Sequence, residues 1–129
     1  WESVGMGRTA EGLKEGLKKM HELEKEFDTN LFVPGKKEGL NVELDKAIHL
    51  RDFFTMGELV AFDALSRNES CGGHFREEYQ TEEGEAKRDD ENYFYVGCWE
   101  YKGKGNEPEL IKEPLEYEAI KVQTRNYKN

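Results

Sequence analysis

The chain has 129 residues, of which 36% are apolar and 36% are charged, and its formal net charge is −9. This length corresponds to one domain, and the low apolar fraction predicts a small core that a partner surface could complete. Nucleic-acid binding is disfavoured, because it depends on Lys and Arg side chains that neutralise phosphates, and the chain has 28 acidic against 19 basic residues. No apolar run approaches the roughly 18–20 residues that a membrane-spanning helix needs. The first residue is Trp1 rather than Met, so we expect a piece of a longer protein.

Two helices are predicted in the first half of the chain. Thr9 is a suitable N-cap, and apolar residues then recur at steps of three and four, which predicts a helix of about five turns with one apolar stripe. That stripe comprises Leu13, Leu17, Met20, Leu23 and Phe27. Turn residues in 28–40 predict a connector, and Asn41 is expected to cap a second helix that runs to about Arg67.

The second helix is apolar on more than one face, which indicates burial on several sides. Five of its residues are expected in the core: Phe53, Phe54, Val60, Ala61 and Ala64. Leu50 or Phe62 is expected on a surface that a missing third helix or a neighbouring domain would cover. His49 lies in the same helix, and we expect it to bond a nearby carboxylate or carbonyl.

The second half of the sequence is predicted to form loops and strands. Gly72 and Gly73 are expected to end the second helix, since glycine readily takes the left-handed conformation. A charged loop at 80–92 should lead into an aromatic-rich strand at 93–101. A turn at 103–106 and a return segment near residues 110–111 follow, with a break at Pro114 and a last strand within 117–122.

Together these elements predict an α+β fold that is mainly α. An antiparallel helical bundle of the spectrin-repeat type, which could lack one helix, is followed by a long loop and a small antiparallel β-hairpin. We expect residues 1–68 to form the bundle and residues 69–129 to form a loop and β-containing tail that packs on it. No internal repeat or low-complexity segment is present.

Two side chains in the loop after the second helix invite a catalytic or a metal-binding interpretation. His74 could activate Cys71 as a thiolate nucleophile, but no oxyanion donors can be assigned, so we expect no catalytic residue here. The pair also has the C-x-x-H spacing of a metal site. A closed zinc site needs four ligands, and only Cys98, His21 and His49 remain, so we expect no metal either.

A structural role for the polar loop is the alternative that we favour. Arg76 and Arg88 are each expected to bond a carboxylate such as Glu69, Asp89 or Asp90. Such pairs would fix a long loop in place.

The same loop resembles a known family. The pattern Arg67-x-Glu69-Ser70-x-Gly72-x-His74-x-Arg76, followed by Arg88-Asp89-Asp90, resembles the C-terminal domain of the flavoprotein subunit of succinate dehydrogenase and fumarate reductase. The family commonly has Arg where Cys71 stands and Ala where Gly73 stands. Its later Asp and Pro are replaced here by Glu78 and Gln80.

The resemblance implies a function for the whole protein. The family interconverts succinate and fumarate by hydride transfer to FAD, which binds in an upstream domain. This chain has no G-x-G-x-x-G fingerprint after a strand, so we expect no flavin site and no dicarboxylate site within it. The partners implied are the FAD-binding domain of the same protein and the iron–sulfur subunit of a membrane-bound complex. The implied location is cytoplasmic and peripheral to the inner membrane, without a membrane span of its own.

The resemblance also assigns a role to the loop. Its residues are expected to serve structure and docking: Arg67, Glu69, Ser70, Gly72, Gly73, His74, Arg76, Arg88, Asp89 and Asp90. His74 and Arg76 are expected to project toward the FAD-binding domain. L-aspartate oxidase, which shares a similar loop, and a stand-alone interaction module remain as alternatives. The long tail from Tyr93 favours the dehydrogenase and reductase branch.

Overall fold

The computed structural model describes residues 1–103 and 105–123. Lys104, in the expected turn at 103–106, and the polar end at 124–129 lie outside the described residues. The elements in chain order are β1 (Gly7–Arg8), α1 (Ala10–Asn30), α2 (Val42–Ser66), β2 (Phe75–Arg76), α3 (Asp90–Tyr93), β3 (Tyr95–Glu100) and β4 (Glu109–Pro114). Helices therefore dominate, and the predicted α+β architecture is confirmed.

Both long helices begin where their capping residues predicted. The Thr9 hydroxyl accepts a hydrogen bond of 3.0 Å from the Gly12 amide, and the Asn41 side chain accepts two from the first turn of α2. These bonds satisfy amides that have no partner inside the helix. The helices run antiparallel: the start of α1 meets the end of α2, whereas Phe27 near the end of α1 packs edge-on against Phe54, with ring centroids 5.5 Å apart.

The core is small and lies where the N-terminal segment crosses the helix pair. Its fully buried members are Leu13, Ala61 and Ala64, with Val4, Leu17, Met20 and Leu65 packed around them. Gly16 allows the N-terminal segment to approach α1, because a Cβ at this position would lie 2.9 Å from the Cβ of Ser3.

The expected core of α2 is only half correct. Ala61 and Ala64 are buried as predicted, but Phe53 is 67% exposed and Val60 is 47% exposed, so the prediction for these two was wrong. Among the described residues, α1 is the element that packs along α2, and one helix covers only one side of another. Leu50 is exposed and Phe62 is half-buried against Trp99, with ring centroids 5.1 Å apart. His49 lies 3.6 Å from the Asp45 carboxylate, in line with the expected carboxylate neighbour.

The tail forms one antiparallel hairpin. β3 and β4 pair from Tyr95 with Pro114 to Glu100 with Glu109, so the break expected at Pro114 is the end of the strand. Tyr93 belongs to α3 rather than to the strand, because Asp89 caps a helical turn there. The last strand expected within 117–122 was wrong, since residues 115–123 form no strand. Tyr117 instead packs edge-on against Phe94, at 5.8 Å between ring centroids.

A second, parallel pair of strands was not foreseen. Gly7 and Arg8 pair with Phe75 and Arg76, which brings the segment before α1 against the loop after α2. No helix within the described part of the chain is long and apolar enough to cross a bilayer.

Candidate functional site

The end of α2 and the loop after it form a network of polar side chains, most of which are buried or half-buried. We call this network the polar clasp and define it as Arg8, Arg67, Glu69, Ser70, His74, Arg76 and Glu78. Apart from Arg8, its residues belong to the loop that the sequence motif singled out as the candidate site.

The two glycines of the loop do not end the helix as predicted. α2 ends at Ser66, and Arg67 has an extended backbone. Gly72 and Gly73 instead form a tight turn between Cys71 and His74, which exchange backbone hydrogen bonds of 2.8 and 3.0 Å. Gly72 has a φ of +59°, which a side chain disfavours, so the glycine serves the turn.

Arg76 caps the end of α2 from a distance in sequence. Its side chain is 2% exposed, and its Nη1 donates to the carbonyl oxygens of Ala64 at 3.0 Å and of Leu65 at 3.3 Å, with a longer contact to that of Arg67. The last carbonyls of a helix lack partners and carry partial negative charge, so a buried guanidinium stabilises them. Its Nε also donates to Glu78 at 3.0 Å.

Glu78 extends this link to the other helix. Its carboxylate accepts a hydrogen bond of 2.5 Å from the amide of Ala10, at the start of α1, where negative charge is favoured. Burial acts to raise the pKa of Glu78, but hydrogen bonds from the Ala10 amide and from Arg76 outweigh it and lower the pKa. Arg76 and Glu78 therefore join the end of α2 to the beginning of α1 with charges that suit both helix dipoles.

Ser70 and Glu69 hold the base of the loop. The Ser70 hydroxyl is fully buried, accepts from the Arg76 amide at 2.8 Å and donates to the Arg76 carbonyl at 3.1 Å. The Glu69 carboxylate is almost fully buried, accepts from the Asp89 amide at 3.0 Å and lies 3.2 Å from the guanidinium of Arg67. These bonds tie the loop to the later segment around Asp89.

Arg67 connects the clasp to the aromatic residues of the tail. Its guanidinium lies 5.7 Å from the ring centre of Tyr93 and 5.2 Å from that of Tyr95, and it donates to the Tyr93 carbonyl at 2.7 Å. Stacking on aromatic faces is favourable for a cation. The β-hairpin is further attached to α2 by Trp99, whose indole donates to Asp63 at 2.7 Å.

His74 is held by one hydrogen-bond donor and one hydrogen-bond acceptor. Its Nδ1 lies 3.0 Å from Nη1 of Arg8, and its Nε2 lies 3.0 Å from the carbonyl oxygen of Arg67. Burial lowers the pKa of His74, and the positive charges of Arg8, Arg76 and Arg67 lower it further, against the opposing effect of the bond to the Arg67 carbonyl.

The structure brings most of the ten candidate loop residues together, but with different partners from those expected. Arg88 pairs with Asp90 as foreseen, through Nε at 3.0 Å. Arg76 was expected to bond Glu69, Asp89 or Asp90 and bonds Glu78 instead. Asp89 pairs with no arginine of the motif but caps α3, accepting from the Asn92 amide.

The expectation that Arg76 projects toward another domain was also wrong, because its partners lie within this chain. Sequence reasoning missed Arg8, Glu78, Tyr93 and Tyr95 as partners of the loop. A usable signal was the proximity of Arg76 and Glu78 in the sequence, because the turn that follows β2 brings their side chains together.

The clasp does not resemble a nucleophilic active site. Both ring nitrogens of His74 already have partners, so the imidazole has no free nitrogen for the thiol of Cys71, which is exposed. Within the described ranges, no three His, Cys, Asp or Glu side chains gather as metal ligands.

An open cavity of about 410 Å³ lies beside the clasp, between it and the segment at 115–123. Two arginines line it, but Arg67 is paired with Glu69 and Arg88 with Asp90. Their charges are therefore compensated inside the protein rather than offered to an anionic ligand.

The described residues also do not fit a dinucleotide. A flavin nucleotide places its pyrophosphate at a helix N-terminus that follows a glycine-rich turn. The start of α1, which follows Gly5 and Gly7, is the nearest counterpart, but its first amide is bound by the Glu78 carboxylate. A second anion there would meet that negative charge.

Solved structures with the same fold are fumarate reductase and related chains. The FrdA chain of an E. coli quinol fumarate reductase variant matches 95% of this chain, with a TM-score of 0.78 and 24% identity, a level that shows the fold alone. Sdh1 of Mycobacterium smegmatis, solved with UQ1, matches 88% of this chain, with a TM-score of 0.66 and 26% identity. This chain covers 20% and 18% of those two chains, respectively.

Curated relatives are likewise longer proteins. An uncharacterised FAD-dependent oxidoreductase of Methanocaldococcus jannaschii is 34% identical over 79 residues, which are 61% of this chain and 14% of that protein. The chloroplastic L-aspartate oxidase 2-a of Nicotiana tabacum is 40% identical over 75 residues, or 58% of this chain and 11% of that protein. The chain thus spans only a small part of the relatives it matches.

The family model described as the fumarate reductase flavoprotein C-terminus matches residues 1–127, almost the whole chain. The resemblance seen in the loop motif is thereby confirmed. This chain belongs to the fumarate reductase flavoprotein C-terminal family.

Proposed function

We propose that this chain is the C-terminal domain of an FAD-dependent succinate dehydrogenase or fumarate reductase flavoprotein subunit. The family match over residues 1–127 is the main support. The intact subunit would interconvert succinate and fumarate and pass electrons to an iron–sulfur subunit. It would lie on the cytoplasmic side of the inner membrane, attached through partner subunits.

Within that subunit, the domain would support the FAD-binding domain rather than contact the substrate. Eight of the ten loop residues named above would hold the domain together, because their side chains bond to one another, to the backbone and to the helix ends, whereas Gly72 and Gly73 would form the turn of the loop. Residues 1–68 and 69–129 would behave as one unit, since Arg8 pairs with β2 and Trp99 bonds α2.

The docking surface would be an exposed stripe on α2. We call it the apolar face and define it as Val42, Phe53, Met56 and Val60, whose exposed fractions run from 47% to 67%. At 100° per residue these positions fall on one side of the helix. Phe53, Met56 and Val60 lie on successive turns, whereas Lys46 and His49 separate them from Val42. An exposed group of apolar side chains of this kind marks an interaction site. We assign it to the remainder of the intact subunit, because the curated relatives and the solved neighbours extend far beyond the region matched here.

L-aspartate oxidase is the second candidate. Its support is the 38–40% identity of three plant L-aspartate oxidases over 75–80 residues. These matches cover about 60% of the chain, whereas the E. coli fumarate reductase chain covers 95% of it. Structural coverage at 24% identity shows the fold alone, so we favour the reductase and dehydrogenase branch because its family model matches residues 1–127.

The experiment is an assay of the purified intact protein with three substrate pairs. Succinate oxidation is followed with an artificial electron acceptor, fumarate reduction with a reduced viologen dye, and L-aspartate oxidation by peroxide release. We expect bound flavin and activity with succinate or fumarate. Activity with L-aspartate alone would establish the second candidate, and an intact protein that begins near Trp1 and binds no flavin would favour a stand-alone interaction module.

A further inference from the structure

The partners of His74 determine its protonation state. A guanidinium N–H can only donate, so Nδ1 of His74 must accept from Nη1 of Arg8, 3.0 Å away. A carbonyl oxygen can only accept, so Nε2 must donate to that of Arg67, also 3.0 Å away. Both bonds together require a neutral imidazole with its proton on Nε2.

The charges around His74 are all positive. Arg8 faces it from β1, Arg76 from β2 and Arg67 from the end of α2. The two nearest carboxylates of the clasp are already engaged, Glu69 with Arg67 and Glu78 with Arg76. A proton on Nδ1 would therefore place two donors against each other and add a fourth positive charge to the cluster.

The bond that this proton would break holds the N-terminal segment on the loop. Besides His74, Arg8 contacts the loop through its backbone: its carbonyl accepts from the Glu77 amide at 2.8 Å, next to the two-residue pairing of β1 with β2. Its Nε is used within its own segment, on the carbonyl of Gly5. The start of the segment is also held by Val4, which packs on the core, but the two-residue pairing of β1 is weak by itself, so the side-chain bond to His74 supplies much of the attachment of β1.

We propose that His74 is a proton-sensitive latch, which holds β1 against the loop while neutral and releases it when protonated. Val4 remains packed on the core, and the helix ends joined by Arg76 and Glu78 do not depend on this bond. Acid therefore opens the β1–β2 pairing before the rest of the domain unfolds.

The direction of the pH effect follows from the lowered pKa. The released form has a His74 pKa near the ordinary 6.5, and the closed form has a lower one, so the released form binds more protons. The latch is fully closed above the ordinary value and is lost as the pH falls through the pKa of the closed form. Between these two values, opening increases by up to about tenfold per pH unit.

The test uses the intact protein and two mass-spectrometric readouts. Hydrogen exchange of the imidazole C2 position gives the pKa of His74, compared with that in urea. Exchange of the Glu77 amide, corrected for intrinsic rates, reports the attachment of β1 at pH 7.5 and pH 5. We expect a pKa below that in urea and a loss of Glu77 protection at pH 5, by at most about tenfold for each pH unit below the ordinary value.

Three variants make the result specific. His74→Gln keeps one donor and one acceptor without titrating, so its Glu77 protection should not change with pH. Arg8→Met removes the donor, so protection should already be low at pH 7.5 and the pKa of His74 should rise. His49→Gln, at an exposed histidine on α2, should behave like the parent. The proposal is overturned if the parent shows no loss of protection at pH 5, or if either His74→Gln or Arg8→Met keeps the parent's pH dependence.

Discussion

The polar clasp and the apolar face invert the usual arrangement of a folded domain. In the clasp, charged and polar side chains such as Arg76, Glu69 and Ser70 are 2% exposed or less. On the apolar face, Phe53 is 67% and Met56 is 56% exposed. Apart from Arg8, the residues of both regions lie on α2 or on the loop that follows it. Their different exposure to solvent therefore does not come from their positions in the sequence.

The contrast shows which interactions are complete within this chain. The clasp is largely satisfied internally, because the buried Glu69 and Arg76 have partners among nearby side chains and helix ends. Among the described residues, Nε of Arg67 is the buried side-chain atom that lacks a hydrogen-bond partner. The side chains of the apolar face are exposed to water and form no stabilising apolar contacts there. Burying them requires another surface. We therefore expect the clasp to determine whether the domain folds and, under the proposed function, the apolar face to determine what the folded domain can dock against.

The largest effect is expected for Arg76→Ala. The change leaves the last carbonyls of α2 without their donor, and each buried acceptor left unsatisfied typically costs about 1–3 kcal/mol. Glu78 also loses its cation, but its side chain is 39% exposed, so this pair adds only about 0–1 kcal/mol. Chemical denaturation of the two proteins would measure the loss of unfolding free energy. Arg51→Ala, at an exposed arginine paired with Asp28, is the matched control and should cost only about 0–1 kcal/mol. Equal losses for the two variants would contradict a special role for the clasp.

The next largest effect is expected when a buried residue of α2 is enlarged, compared with the same change at an exposed residue. Ala61 is fully buried beside Leu13, so Ala61→Leu should lower the unfolding free energy by about 1–3 kcal/mol. The adjacent change Val60→Leu lies on the exposed face and should stay within about 0.5 kcal/mol. Thermal unfolding of both variants would show this, and a tolerated Leu at position 61 would mean that the core is looser than described.

A smaller, pH-dependent effect is expected for Glu78→Gln. The amide keeps the shape but loses the charge at the start of α1 and beside Arg76, which should cost about 1 kcal/mol near neutral pH. The folded pKa of Glu78 is lowered, so its contribution is complete above the ordinary 4.5 and is lost as the pH falls through the folded value. The difference in unfolding free energy between the parent and Glu78→Gln should therefore disappear in acid. The control Glu82→Gln, at an exposed residue, should not differ from the parent. A difference that persists at pH 3 would rule out the charge as its source.

Local patterns in the sequence predicted the parts of the fold that depend on neighbouring residues. Thr9 and Asn41 begin their helices because a cap acts on amides two or three residues away. Ala61 and Ala64 were correctly placed in the core, but Phe53 and Val60 were not. Apolar periodicity shows that a face is suited to burial and cannot show whether the covering surface belongs to the same chain.

The partners of the clasp could not be predicted because they are set by the tertiary fold. The guanidinium of Arg76 reaches carbonyls 11 and 12 residues earlier, and Glu78 reaches an amide 68 residues earlier. The β1–β2 pairing, with two residues in each strand, is too short for strand propensity to reveal. The motif residues were chosen by their resemblance to a family, whereas their bonds had to come from the structure.

The smallest effect on the domain itself is expected for Phe53→Ser. The side chain is largely exposed, so its removal should change the unfolding free energy of this chain by no more than about 0.5 kcal/mol. A loss comparable to that of Arg76→Ala would mean that the apolar face is part of the core.

The most direct test of the account is the flavin content of the intact protein carrying Phe53→Ser, with Phe53→Leu as the control. Burying a Phe side chain contributes roughly 1.5–3 kcal/mol, so its loss should weaken docking about tenfold or more. We predict lower flavin per protein for Phe53→Ser, near-normal flavin for Phe53→Leu, and normal turnover per bound flavin in both. Full flavin loading in Phe53→Ser would contradict a docking role for the apolar face, and full loading with abolished turnover would show that this domain takes part in catalysis.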